Sequence, residues 1–332
     1  MANIWYNPNH TFSYSAMLNF VIGARGCGKT YGTKKWAIKH FIKTGKKFIY
    51  LRRYKDELKN LDTFFTALQN DDELKAHSFN VKGRRFYMDG IEIGKAELLS
   101  TSQGRKGTEE PDVDTIIFDE FIIEKGFVRY LPNEVNKLIG YMDTIFRNRE
   151  NCRCICLANS IVWVNPYFIF FKFAPISRGI QVVQNGTVLL EVYDNESYKE
   201  FKQASKLGQM IEGTAYAEMS VENKFADVNN DFIAKKDKDA VQIVNLVWKD
   251  KVYGMWYCPQ SYSYVISNKH NSDVANICYT TRDLKPNMML ITDKNMNINR
   301  ELKRAFTNNF LFYEDIFIRN DIFDLFTLMG VR

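Results

Sequence analysis

Short apolar runs of strand length recur along the first half of the chain and alternate with stretches of helical period. Leu18-Asn19-Phe20-Val21-Ile22, Phe48-Ile49-Tyr50-Leu51, Thr115-Ile116-Ile117-Phe118 and Arg153 to Leu157 read as buried strands. Apolar spacing between them predicts helices over 31–43, 56–69 and 133–146. Phe79 to Met88, then Asp89-Gly90, then Ile91-Glu92-Ile93 is hairpin material, because Asp-Gly supplies a tight turn. Ser100 to Asp112 is polar and glycine-bearing, as a surface loop would be. Strands alternating with helices argue an α/β fold with a doubly wound, mainly parallel sheet.

From about Ile180 the pattern changes. Gln181 to Val183, Gln184-Asn185-Gly186 and Val188 to Tyr193 read as a hairpin, and 195–210 as a short helix. A polar stretch over 227–239 precedes a meander of three runs, Val241 to Trp248, Lys251 to Tyr257 and Tyr262 to Ile266. Helical segments over 297–308 and 314–328 follow. The division this suggests is a domain over 1–179, a linker or lid subdomain over 180–227, and a β-rich α/β domain over 228–332.

Composition narrows the class. A chain of 332 residues with 45% hydrophobic and 25% charged residues is globular and long enough for two cores. The net charge of +6 is compatible with nucleic acid without requiring it. Cys152, Cys154 and Cys156 alternate in one run, which we read as thiols on opposite faces that do not pair; no C-x-x-C spacing suggests zinc. Met1 to His10 lacks the apolar core of a signal peptide, and Ile161 to Ala174 is too short and polar to span a bilayer. The expectation is a cytoplasmic protein, neither secreted nor membrane-bound.

The sharpest signal is Gly23-Ala24-Arg25-Gly26-Cys27-Gly28-Lys29-Thr30, a full match to G-x-x-x-x-G-K-[ST] between a strand and a helix. Glycines at this spacing let backbone N–H groups cradle phosphates, Lys29 reaches the β- and γ-oxygens, and the Thr30 hydroxyl ligates Mg²⁺. Asp119 ends a strand, where it can hold the same Mg²⁺, and Glu120 beside it can orient and deprotonate a water. ATP and Mg²⁺ are the implied ligands. The Phe48–Leu51 strand, lying between the two motifs in sequence, favours the additional-strand, catalytic-glutamate division of P-loop ATPases. Asn159, closing its strand, would be a γ-phosphate sensor or a plain polar strand end. Arg147 and Arg149 fit a trans-acting arginine finger or a surface pair; Arg105 and Lys106 carry the same two readings. Arg25 contacts phosphate or faces solvent. Arg52, Arg53, Lys55 and Lys59, with Lys82, Arg84 and Arg85 on the hairpin, could track a phosphate backbone or form a solvated face. The run from Tyr167 to Phe173 packs in a core rather than serving as a stacking platform.

Leu18 to Gly26, Tyr50-Leu51-Arg52-Arg53-Tyr54-Lys55, Phe118-Asp119-Glu120-Phe121-Ile122, Phe146-Arg147-Asn148-Arg149 and Cys154-Ile155-Cys156-Leu157 together resemble the DNA-packaging ATPase of small, short-tailed, phi-29-like phages. The resemblance implies a motor that assembles as a pentameric ring on the portal of an empty procapsid in the host cytoplasm. Such a motor hydrolyses ATP to pump double-stranded DNA inward, with a packaging RNA as a further partner. It implies Lys29 and Thr30 on phosphate and Mg²⁺, Asp119 on Mg²⁺, Glu120 as base, Arg147 as the finger reaching a neighbour's ATP, and Lys55 on DNA. It also implies an RNase H-like C-terminal domain that has lost its nuclease site. Val241 to Val247 carries no carboxylate, and Asp250 and Asp293 lack a matched partner. Two other classes compete on the residues alone. One is a conjugation- or partition-type DNA motor; the other is a non-enzymatic, nucleotide-gated assembly protein, against which Asp119-Glu120 argues.

Overall fold

The strand-type runs of the first half assemble into one nine-stranded sheet. The structure is a computed structural model; it describes residues 4–105, 110–123, 130–159, 163, 165–214, 217, 232–248, 251–278, 288–290 and 297–328. Two compact units divide the chain, Met1–Val228 and Asn229–Arg332. In the first unit the strands are β1 (Leu18–Gly23), β2 (Lys47–Arg52), β3 (Phe79–Lys82), β4 (Arg85–Met88), β5 (Ile91–Leu98), β6 (Val113–Asp119), β7 (Arg153–Asn159), β8 (Gly179–Val183) and β9 (Val188–Tyr193). Their order across the sheet is β3-β4-β5-β2-β6-β7-β1-β9-β8. The six from β5 to β9 run parallel, and antiparallel pairs close both edges.

The central strands are apolar on both sides because both faces are covered. Phe20, Ile22, Phe118 and Cys156 pack with Leu138 and Ile145 of α3 (Glu134–Phe146) and with Tyr167 and Phe168 of α4 (Pro166–Phe171). Val21, Ile117, Ile155 and Leu157 pack on the opposite face with Ala37 and Ile38 of α2 (Lys29–Thr44) and with Phe64 and Phe65. The aromatic run 167–173 is thus core: Asn165 caps α4 through Tyr167 and Phe168 N–H, and the rings surround Phe20.

Several elements depart from the sequence reading. The helix expected over 56–69 is a series of 3₁₀ turns, Lys55–Leu58 and Leu61–Thr63. Asn60 leaves the helical region (φ −109°, ψ 37°), and the Glu57 carboxylate accepts the Arg53 N–H (2.9 Å), so local polar bonds displace the helix ladder. The 181–193 hairpin, assigned beyond the boundary at 180, is β8–β9; β9 pairs with β1 and extends the main sheet. Residues 195–210 form two helices, α5 (Glu196–Gln203) and α6 (Lys206–Ile211). Gly208 permits their close crossing, since a Cβ there would lie 2.0 Å from the Lys202 carbonyl. Cys154 and Cys156 share a face of β7, with sulfurs 3.9 Å apart, because residues two apart in a strand point the same way.

The second unit is built on six strands: β10 (Val241–Trp248), β11 (Lys251–Cys258), β12 (Ser263–Ser267), β13 (Asn276–Cys278), β14 (Met288–Leu290) and β15 (Leu311–Tyr313). Their order is β14-β13-β10-β11-β12-β15. An antiparallel meander is thus extended by two parallel strands beyond β10, the arrangement of an RNase H-like sheet. Leu302 of α7 (Asn297–Thr307) and Ile322 of α8 (Ile316–Leu328) pack on Leu246 and Ile266. Asn245 is buried at the middle of β10, its amide donating to the carbonyls of Asn271 and Val274. Asp250 and Asp293 lie outside the described residues.

Phe20 is fully buried and meets five other rings at centroid distances of 5.1–6.2 Å. Phe20→Ala is expected to destabilise the first unit by about 3–5 kcal/mol, read as a lower urea midpoint at unchanged slope.

Candidate active site

The site is built where β1, β7 and β6 end. The loop after β1 turns on Gly26 (φ +85°) and Gly28 (φ +93°), a left-handed backbone that only glycine enters without strain. Gly23 admits no side chain either: a Cβ would lie 2.7 Å from the Tyr193 carbonyl of β9. Lys29, 6% exposed, folds across its own loop, donating to the carbonyls of Gly23 (2.9 Å) and Ala24 (2.8 Å), with Asn159 Oδ1 at 3.5 Å. Burial pulls its ammonium below the usual lysine range, and Cys27 and Asp119 oppose that shift. The Arg25 carbonyl accepts Tyr198 Oη (2.7 Å) and Lys202 Nζ (2.9 Å) from α5, while the Arg25 side chain is exposed.

Thr30 Oγ1 donates to Asp119 Oδ1 at 3.2 Å, and Tyr50 Oη donates to Asp119 Oδ2 at 3.0 Å. Hydroxyl and carboxylate oxygens meeting beside a phosphate cradle form the donor set that Mg²⁺ prefers, and phosphate and water oxygens complete such a shell. Among the described residues no group of three or more His, Cys, Asp or Glu side chains could hold a metal by itself. The strand standing between the loop strand and the Asp119 strand is β7, carrying Asn159; Phe48–Leu51 lies in β2, on the far side of β6. The additional strand is therefore present, but it is not the one whose sequence position suggested it. Beside the loop a cleft of about 1070 Å³ opens among Trp5, Asn7, Gly28, Tyr31 and Gly32, roomy enough for a nucleoside.

Glu120 follows Asp119 in a left-handed conformation (φ +60°), with its side chain 65% exposed. Its Oε2 accepts Arg52 Nη2 at 2.6 Å. Arg52 also donates Nε to Glu57 (3.2 Å) and lies 3.9 Å from Asp119 Oδ2. Burial works against its charge, but Tyr50, Glu120 and Asp119 outweigh it and hold the guanidinium firmly protonated. Asp119 raises the Tyr50 phenol further after burial has done most of the work. One turn along α2, the largely buried Lys34 ammonium sits 3.9 Å over the Phe64 ring; burial lowers it to about 8, against the pull of Asp119.

The basic residues separate into different jobs. Arg53, expected on DNA, is 2% exposed and wholly engaged inside the protein, bidentate to Glu134 and bonded to the carbonyls of Glu120 and Phe121. Lys55 is exposed, and Lys59 is exposed but paired with Asp56 at 2.8 Å. Arg147, just past α3, is exposed with φ +51°, and no ion pair of its side chain occurs among the described residues. Arg149, offered as trans-acting, instead donates to the carbonyls of Ile145, Phe146, Glu110 and Pro111, which leaves its guanidinium committed to closing the end of α3. Arg105 ends a 3₁₀ turn, and Lys106 lies outside the described residues. Sequence reasoning missed Tyr50, Glu57 and Glu134, and left Arg52 between a phosphate backbone and a solvated face, whereas it is buried against Glu57, Asp119 and Glu120. The Arg-Arg pair was the available signal, but without strand order nothing linked it to Asp119-Glu120.

The model of a family described as podovirus DNA encapsidation protein (Gp16) matches residues 1–331. The DNA packaging protein of Bacillus phage phi29 is 41% identical over 333 residues, covering 99% of each chain. That of Bacillus phage B103 is 40% identical over 323 residues, 96% of this chain and 99% of its own. Among solved structures, a chain of the bacteriophage phi-29 viral genome packaging motor assembly superposes with a TM-score of 0.82 at 41% identity, over 98% of this chain and 100% of that one.

Lys34 gives the site a pH signature. Its folded value of about 8 lies below the ordinary 10.5, so between these values the unfolded chain binds more protons and stability rises with pH. Lys34→Met is expected to stabilise the protein at pH 7 by up to about 3 kcal/mol, a gain that fades towards pH 10.5; urea titrations at both pH values check it.

Proposed function

The chain belongs to the podovirus DNA encapsidation protein family, and from that membership we propose that it is the ATP-hydrolysing motor that drives double-stranded DNA through a portal into a preformed procapsid. The observation that carries the enzymatic part is the meeting of Thr30 with Asp119 beside the glycine loop, with Glu120 next in the chain. In this reading the loop amides from Ala24 to Thr30 cradle the phosphates, and Lys29 exchanges its own loop's carbonyls for the β- and γ-oxygens. Thr30 and Asp119 would hold Mg²⁺, which when bound would supply positive charge beside the phosphates. Asn159, already 3.5 Å from Lys29, faces the terminal phosphate from β7. Glu120 orients the water and takes its proton. Its carboxylate is tied to Arg52, so turnover requires that bond to loosen before the carboxylate can engage the water.

Arg147, exposed at the end of a rigid helix, is the group we assign to a neighbour's ATP, which makes the working unit a ring of copies, a pentamer in the family's pattern. Lys55, exposed on the turn that follows Arg52, is assigned to the DNA backbone. The portal, the procapsid and a packaging RNA complete the partners, and the protein works in the host cytoplasm at the portal vertex.

Glu120→Gln is expected to keep a fluorescent ADP analogue bound while lowering DNA-stimulated ATP turnover by about 10² to 10⁴; undiminished turnover sinks the mechanism. Mixing Arg147→Ala with Glu120→Gln chains should restore activity above the sum of the two separate variants. Arg149→Ala, by contrast, should lower the melting temperature and rescue nothing when mixed, since its bonds lie within its own chain.

A further inference from the structure

Glu120 and Phe121 leave β6 through a turn that an L-residue enters at a cost, because φ of +60° brings Cβ against the following carbonyl. Arg53 holds that turn. Its Nη1 donates to the Glu120 carbonyl at 3.1 Å and its Nη2 to the Phe121 carbonyl at 2.7 Å. The same guanidinium is gripped by Glu134 at 2.8 Å through both Nε and Nη2. Glu134 is fully buried and is fixed in turn by Tyr167 Oη (2.6 Å) and the Leu131 N–H (2.7 Å). The rings of Phe118 and Tyr130 lie 5.4 and 5.2 Å from the guanidinium carbon.

Stability alone does not call for this pair, since well-packed apolar side chains often serve a core as well as a buried ion pair. What apolar side chains cannot supply is two donors aimed at consecutive carbonyls next to a hydrolytic carboxylate. The partner that aims them, Glu134, is the first residue of α3, and Arg147 follows the last. At 1.5 Å per residue the helix is a rod of about 20 Å between them.

We propose that Arg53 is a positioning residue for hydrolysis: it clamps the Glu120–Phe121 turn and, through Glu134, mounts that turn on α3, so that the base and the arginine at the helix's far end shift as one body. The proposal rests on the reading of Glu120 as the base. It assigns to Arg53 a role distinct from that of Arg52, which grips the Glu120 carboxylate while Arg53 grips its backbone. A neighbour engaging Arg147 would then move the base of the chain that lends the arginine, as well as stabilising charge in its own site.

The test uses the full chain with Arg53→Lys, which keeps the charge but loses the planar fork, and with the double variant Arg53→Met/Glu134→Leu, which replaces the pair by apolar volume. Melting curves establish folding. Both variants are expected to bind a fluorescent ADP analogue within about threefold of the unsubstituted chain and to keep KM for ATP. Their kcat should fall by about 10- to 100-fold, the scale of a misplaced reacting group. Hydrogen–deuterium exchange should rise together in 118–123 and 134–138. A folded variant with unchanged kcat overturns the positioning role, and so does one that loses nucleotide affinity in step with kcat. Exchange rising in only one of the two segments overturns the mounting on α3. If the unsubstituted chain itself fails to turn over ATP, the hydrolytic reading falls separately, and the exchange data still decide whether the clamp exists.

Discussion

Gly23 pairs with Asn159, and Asp119 pairs with Leu157, in the parallel ladders that join β1, β7 and β6. A slip of one residue in either ladder would turn every side chain of the slipped strand to the other face. Asp119 would then point away from Thr30, and Asn159 away from Lys29. Register is therefore the constraint on which the site depends, and the two-sided core enforces it. Phe20 and Phe118 face one layer of aromatic and helical residues, Val21 and Ile117 the other, and neither set can be exchanged without exposing rings or burying voids.

A second consequence of strand geometry lies at the end of β2. Arg52 closes β2 and Arg53 is the first residue beyond it; the strand's alternation carries over this one step, so the two neighbours part company. Arg52 turns towards Asp119, Glu120 and Glu57, three carboxylates that would otherwise repel one another. Arg53 turns into the core, where Glu134 and two backbone carbonyls satisfy it. One dipeptide thus fixes both the side chain and the backbone of Glu120, because β2 lies directly beside β6 in the sheet.

Legibility in the sequence followed locality. The glycine loop was legible as a turn between strand and helix because its pattern occupies eight consecutive residues, and the place of the Asp119-Glu120 pair because it follows an unmistakable apolar run. The parallel α/β architecture followed from alternating runs for the same reason. What failed depended on contacts distant in sequence. Arg53 and Arg149 looked like free surface cations, yet their partners are Glu134 and the carbonyls of Glu110 and Pro111, none of which a local pattern announces. Apolar spacing over 56–69 suited a helix, but Glu57 capping the Arg53 N–H and the break at Asn60 kept it in 3₁₀ turns. Family resemblance put Arg147 ahead of Arg149 where spacing left both open; the structure shows only that Arg149 is committed to carbonyls of its own chain.

Helix α3 shows how these constraints combine. Both of its boundaries are sharp: Asn133 before it and Arg147 after it adopt left-handed backbone, at φ +55° and +51°, conformations that end a helix abruptly rather than let it fray. Each end is also tied down by a charged side chain. Glu134 anchors the start through Arg53 and Tyr167; Arg149 anchors the finish through four carbonyls. Strain of this kind, of order 1–3 kcal/mol per residue, persists only where surrounding bonds over-determine it. A helix so held has little freedom to bend or unwind, and an exposed arginine at its end is presented in a fixed place. In the role proposed for Arg147, meeting a phosphate on another chain, that preorganisation matters more than intrinsic reach, because ordering a free side chain on contact would consume much of the stabilisation it offers.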